Sequence, residues 1–236
     1  MIPRSLADAR RWMQQGTTLL AKQADLDDDA LNAPSALPGW TRKHLLAHVA
    51  GNADALSNLV RWAATGKPTP MYSSPVERAA GIAHGSRMPA RDLTTWLRSS
   101  ADALEEAMIH LSEEQWQTPV VTAQGRTVPA TEVPWLRSRE VYVHAVDLAT
   151  GLSFADLPSG FLLALCADVV GKRGTLPGPP LMLVATDTAG QWELPGQGNI
   201  VTLSGPLAEI TAYLTGRTHN LASTDYQAPP TLPAWL

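Results

Sequence analysis

Cysteine is almost missing from this 236-residue chain: Cys166 is the only one. No disulfide can form within the chain, and a reducing, cytoplasmic setting is the economical expectation. The residue sits in the apolar stretch FLLALCADVV, where a buried structural thiol is expected. A positive charge excess is missing too. The 18 basic residues face 22 acidic ones, a formal net charge of -4, and no long basic run occurs. Nucleic acid and anionic membranes are therefore not expected as partners, whereas small soluble ligands are. Nor does any apolar run approach the about 18 residues of a membrane span. The opening MIPRSLADARRWMQQG breaks its apolar residues with Asp and Arg, unlike the continuous core of a secretory signal. The sequence contains no internal repeat and no low-complexity segment.

What is present is amphipathic helix. Leu6, Ala9, Met13 and Leu20 fall at helical spacing within 4–24, and the acidic, proline-containing DLDDDALNAPSALPG then reads as a loop. Thr41 is the expected N-cap of a second helix whose stripe of Leu45, Val49, Leu56, Leu59 and Val60 runs until Gly66 and Pro68. Ser74 and Pro75 open a short helix with Glu77 and Arg78, ending near Gly85. A longer one is expected from Pro89 to Leu111, with Leu93, Trp96, Leu97, Leu104, Met108 and Leu111 on its apolar face. TPVVTAQGRTVP gives two short β-like runs around Gln124 and Gly125, a hairpin or an extended excursion. A last helix from about Thr131 to Thr150 tolerates Pro134 in its first turn and closes at Gly151.

Helices joined this way predict a four-helix bundle over residues 1–151. Beyond Gly151 the texture changes: a helix (Pro158 to Lys172), a Gly/Pro loop, strands at LMLVAT, QWEL and NIVTLS, and a helix from Pro206 to about Thr215. Residues 152–236 thus read as a smaller α/β domain, and the whole chain as α+β with two domains.

His48, Glu140 and His144 carry the chemistry. Glu140 and His144 stand four apart and share one helix face, and His48 lies on another helix. Two imidazoles and a carboxylate leave tetrahedral zinc one open position, the pattern of catalytic sites. The spacing alone also admits His44, one turn before His48, as the ligand.

The blocks GWTRKHLLAHVAGNADALSNLVRWAATGKPTPMYSSPVERAAGIAHGS and TAQGRTVPATEVPWLRSREVYVHAVDL, with AYLTGR and the closing PAWL, resemble the mycothiol-dependent maleylpyruvate isomerases of the DinB-like metalloprotein superfamily. The resemblance implies a DinB-like four-helix bundle, with zinc or another divalent metal held by His48, Glu140 and His144. It further implies a C-terminal α/β domain that helps close the site. His44 becomes a neighbour of the ligands. Arg78 in SPVERAAG and Arg217 in AYLTGR correspond to the family's substrate-facing arginines, while Tyr72, Gln124 and Arg126 are candidate cofactor contacts.

The same resemblance implies a reaction: the metal-held thiolate of mycothiol adds to maleylpyruvate, the new single bond rotates, and elimination gives fumarylpyruvate with the thiol regenerated, within gentisate degradation. Arginine suits the two substrate carboxylates because its planar fork grips a carboxylate bidentately. The expected working form is a cytoplasmic monomer. Other readings on the same scaffold are a metal-dependent thiol S-transferase, a noncatalytic metal-binding stress protein, and a metal-independent structural protein.

Overall fold

The computed structural model describes residues 4–174, 178–223 and 228–232. PAWL, residues 233–236, lies outside the described residues. The chain divides into two compact units, Ser5–Gly151 and a second that takes in Arg4 and the residues from Leu152 onward.

In the first unit, α1 (Leu6–Gln23) starts on a capping box in which the Ser5 side chain takes the Asp8 amide and the Asp8 side chain reaches back. The expected loop after it contains a short helix, α2 (Asp28–Asn32), because Asp27 caps it by accepting from the Ala30 amide. α3 (Arg42–Thr65) is capped by Thr41 and ends at Gly66, whose φ of 69° supplies the left-handed turn. α4 (Pro75–Gly85) begins after Ser74 with proline in its first turn. α5 spans Ala90–Ile109, and a single turn, α6 (Glu113–Trp116), follows it.

The TPVV and RTVP segments form a hairpin, β1 (Pro119–Val121) against β2 (Thr127–Pro129), with Val120 opposite Val128. Gly125 turns it with a φ of 76°. A 3-10 turn then leads into α7 (Val133–Asp147). This helix stops short of the expected Thr150. The Arg42 guanidinium donates to the carbonyls of Leu148 and Ala149 at 2.6 and 2.8 Å, and the Ala36 amide donates to the Asp147 carbonyl at 2.8 Å. Ala149 breaks the helix with a left-handed φ of 54°, its amide turning to the Val146 carbonyl at 3.1 Å, and the end carbonyls this leaves are satisfied from α3 and the segment before it.

α1 packs along α7 and α3 along α5, with α3 against α7 and α1 against α5 closing the four-helix arrangement. Leu56, Leu59, Leu104, Val120 and Val133 are fully buried between them. Each such side chain contributes roughly 1.5–3 kcal/mol of burial free energy. α1 approaches α7 so closely at Gly16 that a Cβ there would stand 2.6 Å from Val141 Cγ2.

The second unit opens with a 3-10 turn (Phe154–Asp156) and α8 (Ser159–Arg173). β3 (Leu181–Ala185) pairs antiparallel with β4 (Gln191–Leu194) and parallel with β5 (Val201–Gly205). α9 (Leu207–Leu214) follows, and β6 (Ala222–Ser223) adds an antiparallel edge to β5. The sheet order is β4-β3-β5-β6. Two residues are too few for β6 to show an alternating pattern in sequence. Along β3, buried Leu181, Leu183 and Ala185 alternate with half-buried Met182 and Val184. Cys166, fully buried on α8, lies with its sulfur 3.2 Å from Thr211 Oγ1 of α9.

Candidate metal centre

α3 and α7 each turn polar side chains inward at one level. The ligand-capable atoms of His48, Glu140 and His144 all lie within 4.8 Å of one another. Glu140 Oε2 is 3.0 Å from His48 Nε2 and 3.4 Å from His144 Nε2. Donors held about 2.0–2.2 Å from a tetrahedral ion stand roughly 3.3–3.6 Å apart, so shifts of a few tenths of an ångström would bring these atoms around one small divalent cation. Both histidines are buried, and their rings cross at 82° with centroids 5.0 Å apart.

The surroundings fix the rings. His144 Nδ1 pairs with Asp147 Oδ2 at 2.9 Å, which directs Nε2 toward Glu140. A carboxylate behind a histidine in this way sets ring orientation and raises its basicity as a ligand. Trp40 meets the His48 ring edge to face at 5.7 Å. Arg137, fully buried, donates to the Val49 carbonyl at 2.7 Å and to Asn52 Oδ1 at 3.1 Å, tying α7 to α3 one turn from His48.

Charge within the cluster follows from burial and contact. Burial opposes ionisation of Glu140, yet hydrogen bonds from His144 and His48 hold its carboxyl well below the usual range. Burial pulls the His48 imidazole down, partly offset by Glu140. Burial also works against a charged His144, but the hydrogen bonds to Asp147 and Glu140 win and raise it to about 9. A metal takes the neutral imidazole, so a cation entering the site competes with a proton on His144.

His44 does not join the cluster. It is the third residue of the α3 capping box, with Nδ1 2.8 Å from Thr41 Oγ1. Arg78, on α4, brings its guanidinium to 3.3 Å from His48 Nδ1 and lies over the Tyr72 ring at 5.8 Å. Burial pushes the Tyr72 phenol up. Both residues line a cavity of about 370 Å³, together with His48. Gln124 and Arg126 sit exposed at the hairpin turn, outside the cavity lining, although the adjacent Ala123 amide stands 3.1 Å from the sulfur of the cavity residue Met71. Arg217 belongs to the second unit, following Gly216 past the end of α9, and its guanidinium donates to the Thr215 carbonyl.

The family described as "Mycothiol maleylpyruvate isomerase N-terminal domain" matches residues 12–149, more than half of the chain. The chain belongs to this family. A crystal structure of the mycothiol-dependent maleylpyruvate isomerase is similar over 100% of both chains, with 37% identity and a TM-score of 0.94. A histidine-to-alanine variant of that enzyme matches at 37% identity over the same coverage, with a TM-score of 0.93. No curated protein sequence matches. The mycothiol maleylpyruvate isomerase family match spans both helices that carry His48, Glu140 and His144.

Sequence reasoning missed Asp147, Arg137 and Asn52 as the supports of this centre. Asp147 was findable, since it stands three residues after His144 and so on the same helix face. The Arg137 to Asn52 contact joins two helices and has no local sequence signal.

Proposed function

We propose that this protein catalyses the mycothiol-dependent cis-trans isomerisation of maleylpyruvate to fumarylpyruvate. The observation that carries the reading is the meeting of His48, Glu140 and His144 from two helices, with His48 on the wall of a cavity, in a chain of this family. The donor set of two imidazole nitrogens and a carboxylate oxygen fits a divalent ion such as zinc, with His48, Glu140 and His144 as its ligands. Such an ion favours the thiolate form of mycothiol, which makes reversible addition to the activated alkene, rotation and elimination accessible at neutral pH.

The chain's own residues supply binding and orientation. Asp147 keeps His144 Nε2 turned toward Glu140, so the ligand set is arranged before a cation arrives. Arg78 lies beside His48, where its fixed charge holds one substrate carboxylate and favours the enolate that exists only during reaction. We assign the second carboxylate to Arg217, because a dicarboxylate is best gripped by two cations. Neither arginine is assigned a proton transfer, since a guanidinium is a poor general base. Tyr72 borders the space that the thiol would occupy, and Gln124 and Arg126 are proposed to contact the thiol from the hairpin turn. The C-terminal domain, 152–236, closes the site in this reading, and the working form is a cytoplasmic monomer.

Product analysis tests the proposal. Zinc-loaded protein given maleylpyruvate and mycothiol should yield fumarylpyruvate with the free thiol fully recovered. Stoichiometric loss of thiol into a stable thioether would instead make the protein a transferase.

A further inference from the structure

The cavity beside His48 continues along α3 as far as Asn58, ten residues or roughly 15 Å of helix away. Beyond His48 and Arg78, its lining is of a different chemistry. Asp54 and Glu77 contribute two carboxylates, Asn58 an amide, Ser73 a hydroxyl and Trp96 a half-buried indole. Asp54 Oδ2 accepts from Trp96 Nε1 at 2.9 Å, which fixes the carboxylate and the ring against each other. Asn58 Nδ2 donates to the Met71 carbonyl at 3.3 Å, leaving the amide oxygen as an acceptor.

We propose that this extension binds the polyhydroxylated part of the thiol cofactor, the glucosaminyl-inositol end of mycothiol, with the cysteinyl end directed toward His48. The inference rests on the isomerase reading and adds to it a binding subsite. Away from Arg78, the Asp54 and Glu77 carboxylates disfavour a second anionic group but accept hydrogen bonds from hydroxyls, which suits a neutral polyol. The apolar face of an indole suits the C–H face of a sugar ring, and its N–H is already satisfied by Asp54.

Two glycines, Gly51 and Gly81, stand on the cavity lining. A Cβ on Gly81, inside α4, would meet nothing within 4 Å, and one on Gly51 would meet only the Trp96 ring at 3.8 Å. Glycine inside a helix lowers stability relative to alanine, and neither position needs it for backbone conformation or close packing. A side chain added at Gly81 would therefore enter open space at the cavity lining. Gly85 differs, since a Cβ there would stand 2.6 Å from the Ala47 Cβ and 2.8 Å from Trp96. That glycine serves helix packing.

The test is calorimetric titration of mycothiol into zinc-loaded wild type, Gly81→Leu, which fills the cavity with a better helix former, and Asp54→Asn, which keeps the wall's shape and removes a charge. Gly81→Leu should raise the Kd for mycothiol on the order of tenfold or more, and Asp54→Asn by a smaller factor. The preference in kcat/KM for mycothiol over N-acetylcysteine, which lacks the sugar, should fall in parallel, while the unfolding temperature of Gly81→Leu is not lowered. Wild-type mycothiol affinity in both variants, or no binding of mycothiol by wild type, would overturn the proposal. If wild type binds mycothiol but does not convert maleylpyruvate, the isomerase reading fails and the calorimetric comparison still decides the subsite.

Discussion

Both units of the molecule bury polar side chains, but they do so to opposite ends. In the second unit one buried polar set closes on itself: the Cys166 thiol lies against Thr211 Oγ1, whose hydroxyl donates to the Leu207 carbonyl at 2.8 Å, and the Thr215 hydroxyl donates to the Thr211 carbonyl at 2.7 Å. In the bundle, Asp147 and Arg137 hold their neighbours so that the nitrogens of His48 and His144 converge with Glu140, and His48 also faces a cavity. Buried polarity alone does not mark a site. Donor capacity that converges, supported from behind and open to a ligand, does.

The strongest way to break this comparison is to exchange the importance of the two buried sets. Glu140→Gln should leave the purified protein with almost no bound zinc and reduce thiol-dependent turnover more than roughly 10³-fold. Cys166→Ala should keep turnover near wild type. Abolished activity in the cysteine variant, with the fold intact by circular dichroism, would put chemistry on a buried thiol that the comparison makes structural.

Arg217 is where the second unit is proposed to take part. Arg217→Ala should lower kcat/KM for maleylpyruvate about a hundredfold, equivalent to roughly 2.7 kcal/mol of transition-state stabilisation. Unchanged steady-state kinetics would remove it from the site. A smaller effect is expected behind the ligands. Asp147→Asn should weaken zinc affinity about 10- to 100-fold, read by competition with a chromophoric chelator, and unaltered affinity would reduce Asp147 to a packing residue.

The smallest effect concerns alkaline pH. Burial pushes the Cys166 thiol up from 9.0 to about 12, against the Thr211 hydrogen bond, and burial likewise raises the Tyr213 phenol from 10.0 to about 12. The unfolded chain therefore releases these protons first. Their contribution to stability is fully present below pH 9 and is lost as pH rises toward 12. Urea unfolding of wild type and Cys166→Ala across that window should show a shallower decline in the variant, and parallel curves would contradict the sealed environment assigned to the thiol.

Much of this contrast could be read before any coordinates. Caps such as Thr41 and Ser74, and stripes such as Leu45, Val49 and Leu56, are local signals that announce α3 and α4. The i, i+4 spacing announces the Glu140 and His144 pair. The choice between His44 and His48 was not local: it turned on His44 being held by its own cap and on α7 packing against one face of α3. The end of α7 was also misjudged, because the helix breaks at Ala149, whose left-handed φ of 54° is rare for alanine and carries no sequence signal. Asp54, Asn58 and Trp96 gave no motif, since their cavity is assembled from three helices and a loop.

The central claim is that one cation, held by His48, Glu140 and His144, enables thiol-dependent isomerisation. Its most direct test is titration of zinc into metal-free protein with maleylpyruvate present, with and without mycothiol, in wild type and His48→Ala. Fumarylpyruvate formation that appears only with mycothiol, saturates at one zinc per chain and vanishes in the variant is the predicted result. Isomerisation that proceeds undiminished in metal-free protein or in His48→Ala would contradict the account.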